Sequence, residues 1–463
     1  MNQQVRFDPE LVKRYDVPGP RYTSYPTAAQ FHEGFDAELY RRHVQFSNDN
    51  LIPSPLSIYA HLPFCHTLCY YCGCNKKVTR HARQGITYLE ALYQEIALQG
   101  NLFDDDRKVI QLHLGGGTPT FFDDIQLERL MATLRYHFNL ASTDEREFSI
   151  EIDPRTVDAD RLQQLAGLGF NRVSLGIQDL DPLVQQAVNR IQDAALALGQ
   201  VELARKSGFK SVSIDLIYGL PLQTLATFRQ TLDAVLEVRP DRLAVYNYAH
   251  LPNLFRAQRL IRESQLPTAP DRLLLMEMTI HKLTEAGYVY IGMDHFALPD
   301  DELATAQKAG NLHRNFQGYS TRSECDLVGL GVSAIGHIGD SYSQNLKDIA
   351  GWQRQAEAQS LPIWRGVTLS TEDSLRRRVI ESIMCHGQVD HAAIEAEFGV
   401  DFCDFFVAEL HQLEQLEADG LVELDEAQLN VTPSGRLLLR SIAMVFDDYL
   451  NRTHPGQELS RVI

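Results

Sequence analysis

Long apolar runs are missing from this chain of 463 residues. Nothing approaches the roughly 20 consecutive apolar residues of a membrane-spanning helix, and the opening MNQQVRFDPELVKRYD has no apolar signal-peptide core. A cytoplasmic protein without a membrane span is therefore expected. Positive charge is also in short supply. Lys and Arg number 43 against 61 Asp and Glu, and the net charge of −18 argues against nucleic acid as a partner. Seven cysteines in so long a chain do not suit a disulfide framework, which belongs to short secreted proteins. No Gly-Lys-Ser/Thr follows the glycine triplet at 115–117, which excludes a phosphate loop there. Low-complexity tracts are absent. What remains is ordinary for a globular protein, 44% apolar and 22% charged. The length suits one large α/β barrel with a smaller domain, or three average domains.

The most informative residues present are Cys65, Cys69 and Cys72, spaced C-x3-C-x2-C just after a short apolar strand. Thiolates this close in sequence can converge on one metal centre. Three of them leave one iron of a [4Fe–4S] cluster open to an outside ligand, whereas electron-transfer clusters are normally closed by four cysteines. An open iron points to chemistry at the cluster. Buried cysteines on one helical face are the plainer alternative, but Tyr70, Tyr71 and Gly73 are poor helix formers. Zinc is the other, although zinc sites typically use two separated C-x2-C pairs and there is no second pair here. Cys74 stays ambiguous. It could close the cluster, yet residues two apart in extended chain point to opposite sides, so it does not easily join Cys72 on one centre.

From residue 57 to about 250 six strand-like runs alternate with helical stretches: LSIYAHL, KVIQLHLGG, EFSIEIDP, NRVSLGIQ, SVSIDLIYGLP and RLAVYNYAH. The helical stretches include 88–99, PLVQQAVNRI and AALALGQVELARKSG, the last capped at Gly208. This alternation implies parallel strands, and polar strand ends favour a complete or partial barrel, a (β/α)6-type α/β fold. In EFSIEIDP the period of two puts Ser149, Glu151 and Asp153 on one face, and Ser213 and Asp215 form a similar row. Carboxylates facing inward near strand ends read as a site. Gly115, Gly116 and Gly117 follow the second strand and would let backbone groups approach a ligand closely. YVYIGMDHFA (288–297) reads as a further strand, and a glycine-rich stretch at 327–345 continues the barrel domain to about 365. Three domains are thus expected: an N-terminal arm over 1–50, a barrel with its extension over 51–365, and a smaller, mainly helical domain over 366–463. The last ends in a hairpin, LVELDEAQLNVT, like a winged helix. DNA binding is excluded for it, because residues from 371 onward carry 7 Arg, no Lys and 18 Asp or Glu.

A cysteine loop after the first strand and a glycine strip after the second form the pattern of radical S-adenosylmethionine (SAM) enzymes. The chain more narrowly resembles the oxygen-independent coproporphyrinogen III oxidase family of haem biosynthesis. The resemblance is carried by PGPRYTSYPT, YAHLPFC-HTL-CYYCGC, LHLGGGTPT, SIEIDP, SLGIQD, IDLIYGLP, NYAHLP, MDHFA and GLGVSAIG, and covers residues 15 to about 450. It implies one [4Fe–4S] cluster per chain on Cys65, Cys69 and Cys72. It also implies anaerobic oxidative decarboxylation of two propionates of coproporphyrinogen III to vinyl groups, through a SAM-derived 5′-deoxyadenosyl radical, giving protoporphyrinogen IX. By the same resemblance, Tyr59, Tyr71, Gly116, Glu151 and the backbone of Ile335 contact a first SAM. Gly117, Thr118, Gln178, Arg190, Asp215 and Ala249 surround a second, and Tyr59 and Glu151 are the catalytic candidates. Position 71 carries Tyr where Phe is common in the family, so its hydroxyl needs a partner. An outside electron donor of flavodoxin or ferredoxin type and a monomeric state are expected.

Two relatives by fold compete with the decarboxylase: a haem-binding chaperone and a haem-opening radical SAM methyltransferase. The chaperones lack the RYTSYPT arm and have Phe at the position of Cys74, whereas this chain has both the arm and Cys74. The arm is expected to act on substrate. Arg21, joined by Lys76, Lys77 or Arg314, would meet the substrate carboxylates, while Tyr22 and Tyr25 would pack on the tetrapyrrole and close the barrel mouth.

Overall fold

A computed structural model describes residues 5–452. Contacts divide the chain into two units. One comprises 31–275 and 324–368; the other comprises residues up to 30, 276–323 and the segment from 369 onward.

The first unit is built on six parallel strands: β1 (Leu56–Leu62), β2 (Lys108–Gly116), β3 (Glu147–Ile152), β4 (Arg172–Gln178), β5 (Ser211–Tyr218) and β6 (Arg242–Asn247). Each lies beside its predecessor, in the order β6-β5-β4-β3-β2-β1. This consecutive order is that of a barrel wall, since a doubly wound sheet would reverse direction from its middle. On the far side of β1 the sheet continues with β7 (Asp326–Leu330), which is parallel to β1, and then antiparallel β8 (Ile335–Ile338), β9 (Ser341–Asn345) and β10 (Ile363–Thr368). Helices Ala82–Gly100, Asp124–His137, Ala159–Gly167, Ala194–Lys206 and Leu225–Val238 make the crossovers.

Side-chain alternation fixes which face looks where. Phe148, Ile150 and Ile152, Val173, Leu175 and Ile177, and Val212, Ile214 and Leu216 are buried. Ser149, Glu151, Ser174, Ser213 and Asp215, one residue out of step, stay partly accessible. The period of two thus puts apolar side chains on one face and polar ones on the other, as the sequence pattern implied. The crossovers start at defined caps. Asp123 and Gln126 form a capping box, as do Thr224 and Thr227, each satisfying N–H groups that the first turn leaves unpaired. Gly208 ends its helix at φ +97°, the left-handed position expected of a terminator. PLVQQAVNRI does not run as one helix. It stops at Ala187, because Asn189 takes φ 55° and turns the chain so that Arg190 points toward the cysteine loop.

The expected arm over 1–50 is two different things. Residues 37–48 form a helix on the sheet of the first unit, tied there by Tyr40 to Gln99 (2.8 Å) and by Ser47 to Asp326. The PGPRYTSYPT segment belongs to the second unit. Tyr22 and Tyr25 are 4% and 1% exposed, packed in one core with Leu375, Val379, Ile383, Leu438 and Phe446. Tyr22 donates to Asp447 at 2.9 Å, and Arg440 donates to the carbonyls of Gly19 and Pro20. The tyrosines are therefore core residues of this unit, not free aromatics awaiting a tetrapyrrole. Burying the aromatic bodies outweighs leaving them in water by about 1.5–3 kcal/mol each.

YVYIGMDHFA also differs from the single expected strand. It is a hairpin, Val289–Gly292 with His295–Ala297, turned at Met293 and Asp294. By its contacts the stretch 276–323 groups with the second unit. The C-terminal hairpin is present (Val422–Leu424 with Gln428–Val431), and Gln388–Asp390 adds a third strand to the wing.

Tyr22→Phe should keep the fold but remove a hydrogen bond to a buried carboxylate, costing about 1.5–3 kcal/mol. Urea unfolding of the holoprotein, followed through the cooperative transition, measures it.

Candidate active site

The cysteine loop leaves β1 at Leu62 and has almost no regular structure of its own. Its two ends are pinned side by side: Phe64 and Cys65 pair in parallel with Lys77 and Val78, through Lys77 N–H to Pro63 O (2.6 Å) and Thr79 N–H to Cys65 O (3.0 Å). Between these ends Cys65, Cys69, Cys72 and Cys74 are all free thiols. Among the described residues, no three His, Cys, Asp or Glu side chains close on a single metal ion. The donor set suits a cubane, each of whose irons takes its own thiolate, better than one ion.

Positive or hydrogen-bonding groups face each thiol. Arg190 Nη1 reaches Cys69 Sγ at 3.5 Å, and Thr118 Oγ1 reaches Cys65 Sγ at 3.8 Å. Lys76 Nζ donates to the Cys72 carbonyl at 2.9 Å. Burial pushes the Cys65 thiol up to about 11. A hydrogen bond from Cys74, aided by the Lys76 ammonium, brings Cys72 down to about 6 against the cost of burial. Cys74 is thus a hydrogen-bond partner of Cys72. The Tyr71 hydroxyl also has its answer, because it bonds Cys69 beside Arg190.

The loop is fastened from distant elements. Tyr70 N–H donates to Val188 O (3.0 Å), and Asn189 Nδ2 to Leu68 O (2.8 Å). Gln258, fully buried, donates from its amide to the carbonyls of both Tyr71 (3.0 Å) and Ala249 (3.1 Å). Arg190 itself is held by Asp153 (3.2 Å) and by the Gly176 carbonyl, beside the Gln178 amide. Gln178 follows a register shift in β4 at φ 70°, which re-aims its side chain as a bulge does.

Beyond the loop, the strand register lines up Gly329, Tyr59, His113 and Ser149 across four strands. His113 stacks on Tyr59 (centroids 5.8 Å apart, 17° between planes) and contacts Ser149 and Glu151, the latter at 3.0 Å. Gly116 N–H reaches the other Glu151 oxygen at 3.0 Å. Burial opposes ionisation of Glu151, but His113 and the Gly116 amide outweigh it and hold the carboxyl below its usual range. The side chain nevertheless keeps 42% of its surface accessible, so it borders open space from a deep position. Tyr59 also donates toward His61 Nδ1 (2.9 Å), whose Nε2 meets the Asn75 carbonyl (2.8 Å). Asp215 accepts from Ser174 (2.9 Å), and burial together with the Glu151 charge pushes it up to about 7. The Ile335 carbonyl lies against Gly329, the register neighbour of Tyr59.

The glycine strip works differently from the sequence reading. A Cβ on Gly115 would strike Glu151 at 2.7 Å, on Gly116 (φ +111°) the His61 ring at 2.6 Å, and on Gly117 the Phe64 carbonyl at 2.6 Å. The amides are not bare either: Gly116 bonds Glu151, Gly117 bonds Leu62 O and Thr118 bonds Phe64 O. These glycines let the second strand close onto the cysteine loop.

The structure thus gathers the candidate residues into two connected groups. Tyr59, Gly116, Glu151 and Asp215 surround His113, with Ile335 on the Tyr59 side; Tyr71, Thr118, Gln178, Arg190 and Ala249 hold the loop. His113 and Gln258 were missed. His113 had a signal, since it sits in the same alternating row as Gln111 on β2; Gln258 had none.

Two outcomes follow. Gln258→Leu leaves two carbonyls unpaired at about 1–3 kcal/mol each, so iron should pass from reconstituted protein to a chelator faster than from wild type, with unchanged far-ultraviolet dichroism. Asp215 binds its proton up to about 7 in the folded protein against an ordinary 3.8, so stability falls as pH rises across that window. Urea midpoints from pH 4 to 8 should show this decline in wild type to exceed that in Asp215→Asn.

Comparison with known proteins identifies the family. Residues 59–235 match the radical SAM superfamily, and residues 369–438 match the HemN C-terminal domain. Oxygen-independent coproporphyrinogen III oxidase of Salmonella typhimurium is 49% identical over 463 residues, covering 100% of this chain and 99% of the relative. The Pseudomonas aeruginosa protein of that name is 49% identical with full coverage of both. The solved structure of coproporphyrinogen III oxidase from Escherichia coli, described as a radical SAM enzyme, superposes with a TM-score of 0.92 at 48% identity, covering 96% of this chain and 100% of that one. The chain belongs to the oxygen-independent coproporphyrinogen III oxidase family of radical SAM enzymes.

Proposed function

We propose that this protein converts two propionate side chains of coproporphyrinogen III to vinyl groups without oxygen, giving protoporphyrinogen IX for haem biosynthesis. The observation that carries the reading is the loop of three thiols at the end of β1, each faced by a donor or cation, in a chain that aligns end to end with oxidases of this name. The residues fit the family's [4Fe–4S] cluster and SAM. Cys65, Cys69 and Cys72 supply the thiolates, and Arg190, Lys76 and Thr118 offset their charge. When bound, the cluster would supply the electron that cleaves SAM to methionine and a 5′-deoxyadenosyl radical able to take one hydrogen atom from a propionate β-carbon, after which loss of CO2 and of one electron to an outside acceptor would leave the vinyl group.

The chain's own residues orient and shield. Ionised Glu151, fixed by His113 and the Gly116 amide, suits a cationic amino or sulfonium group of SAM. Tyr59, locked by His61 and by its stack on His113, presents a rigid wall beside the Ile335 carbonyl. Gly117, Thr118, Gln178, Arg190, Asp215 and Ala249 are assigned to a second SAM; protonated Asp215 donates and Gln178 supplies an amide. Holding the reacting C–H against one radical source is a problem of position, which rigid strands solve better than loops. Four reduced thiols suit a cytoplasmic protein; a monomeric state and a flavodoxin- or ferredoxin-type reductant belong to the same proposal.

Anaerobic incubation of reconstituted protein with SAM, reductant and coproporphyrinogen III tests the reading: divinyl product by mass is expected, and its absence with an intact cluster overturns it. Alanine at Cys65, Cys69 or Cys72 should abolish iron binding and SAM cleavage. Cys74→Ala should retain iron and the near-ultraviolet cluster absorbance with reduced turnover; iron lost from Cys74→Ala but kept by Cys72→Ala would reverse the ligand assignment.

A further inference from the structure

The second unit is acidic in sequence, yet positive charge is concentrated within it. Arg21 from the PGPRYTSYPT segment, Arg314 from the strand His313–Asn315 and Arg440 from the helix Leu439–Ala443 all bear on one carboxylate, Asp294. Burial opposes Asp294 ionisation and the three guanidiniums favour it. They also repel one another: burial, then Arg21 and Arg314, bring Arg440 down to about 10. Three such cations around one carboxylate leave an excess of positive charge in a poorly hydrated place, which is costly unless an anion joins them.

The three are not equivalent. Arg440 is occupied, donating to the carbonyls of Gly19 and Pro20 and so fixing the backbone that carries Arg21. Arg21 touches Asp294 only at 3.6 Å and keeps 48% of its side chain exposed. Arg314 stacks on the Tyr319 ring at 4.8 Å, and its Nε and Nη1 are buried with no acceptor. A buried donor without an acceptor costs about 1–3 kcal/mol, more when charged, so two on one guanidinium call for a ligand. The turn that presents Asp294 is itself strained. Met293 and Asp294 both have positive φ (44° and 74°), where hairpins of this kind ordinarily use Asn-Gly.

We infer that Arg314 and Arg21, positioned by Asp294 and Arg440, form a receptor for a carboxylate of the substrate. The inference rests on the function proposed above, under which the ligand is a tetracarboxylate of which only two arms react. The arms that do not react need an anchor that recognises carboxylate and leaves it unchanged. Charge-assisted hydrogen bonds from arginine supply that, and the donors left open on Arg314 are where an oxygen would be accepted. Asp294 keeps the guanidiniums together while the receptor is empty.

Binding of coproporphyrin III, the oxidised and unreactive tetracarboxylate, to reconstituted holoenzyme can be followed by fluorescence, with its tetramethyl ester as control. Arg314→Ala should weaken binding of the free acid about tenfold or more, and Arg21→Ala severalfold, as expected for charged hydrogen bonds. The ester should bind all three proteins alike. Arg314→Lys, which keeps the charge and loses the planar head, should fall between. Arg21 is half exposed, so its replacement reads the site even if Arg314→Ala does not fold. Free acid that binds wild type, Arg314→Ala and Arg21→Ala equally would overturn the receptor while leaving decarboxylation standing. A wild-type enzyme that neither binds coproporphyrin nor forms vinyl product would overturn both.

Discussion

A loop that carries three thiols within eight residues cannot hold a shape by itself. Between Pro63 and Thr79 only the short pairing of Phe64 and Cys65 with Lys77 and Val78 is regular, and thiolates brought close together repel. The loop's conformation must therefore be imposed from outside, and much of the first unit is arranged to impose it. The second strand ends in three glycines because any side chain there would collide with Glu151, His61 or the Phe64 backbone. Asn189 turns left-handed so that Arg190 can reach Cys69, and Gln258 spans the Tyr71 and Ala249 carbonyls.

The same constraint explains the electrostatics. An anionic centre is tolerable only if cations and donors are already in place, so Arg190 and Lys76 lie against the loop while Asp153 fixes Arg190 from behind. On the neighbouring strands two carboxylates close enough to interact have diverged. Glu151 is held ionised by His113 and Gly116, and Asp215, with only a serine hydroxyl to support it, is pushed up to about 7. Environments that separate two like groups leave Glu151 ionised while Asp215 keeps its proton up to about pH 7.

The second unit shows how an apparently simple segment can be misread. PGPRYTSYPT has no periodicity, and its aromatics and arginine suggest a surface element. Tyr22 and Tyr25 are instead buried beneath the C-terminal helices, and of this segment's expected contact residues Arg21 alone stays accessible. Which face of an irregular segment is buried depends on its partner, and that partner, Asp447, lies 425 residues away.

The sequence by itself determined the six-fold strand–helix alternation, the thiol set Cys65, Cys69 and Cys72, and the inward rows containing Glu151 and Asp215. These are local properties: spacing within a loop, and a period of two along a strand, survive whatever the rest of the chain does. Only the tertiary structure decided that His113 joins Tyr59 to Glu151, that Gln258 holds Tyr71 from 187 residues away, and that 276–323 groups by its contacts with the second unit. Those facts depend on strand register and on long-range contact, and neither leaves a periodic trace in the residues involved. The turn at Met293 and Asp294 belongs with them, because left-handed backbone at two non-glycine residues is imposed by surrounding structure and is not preferred by either residue.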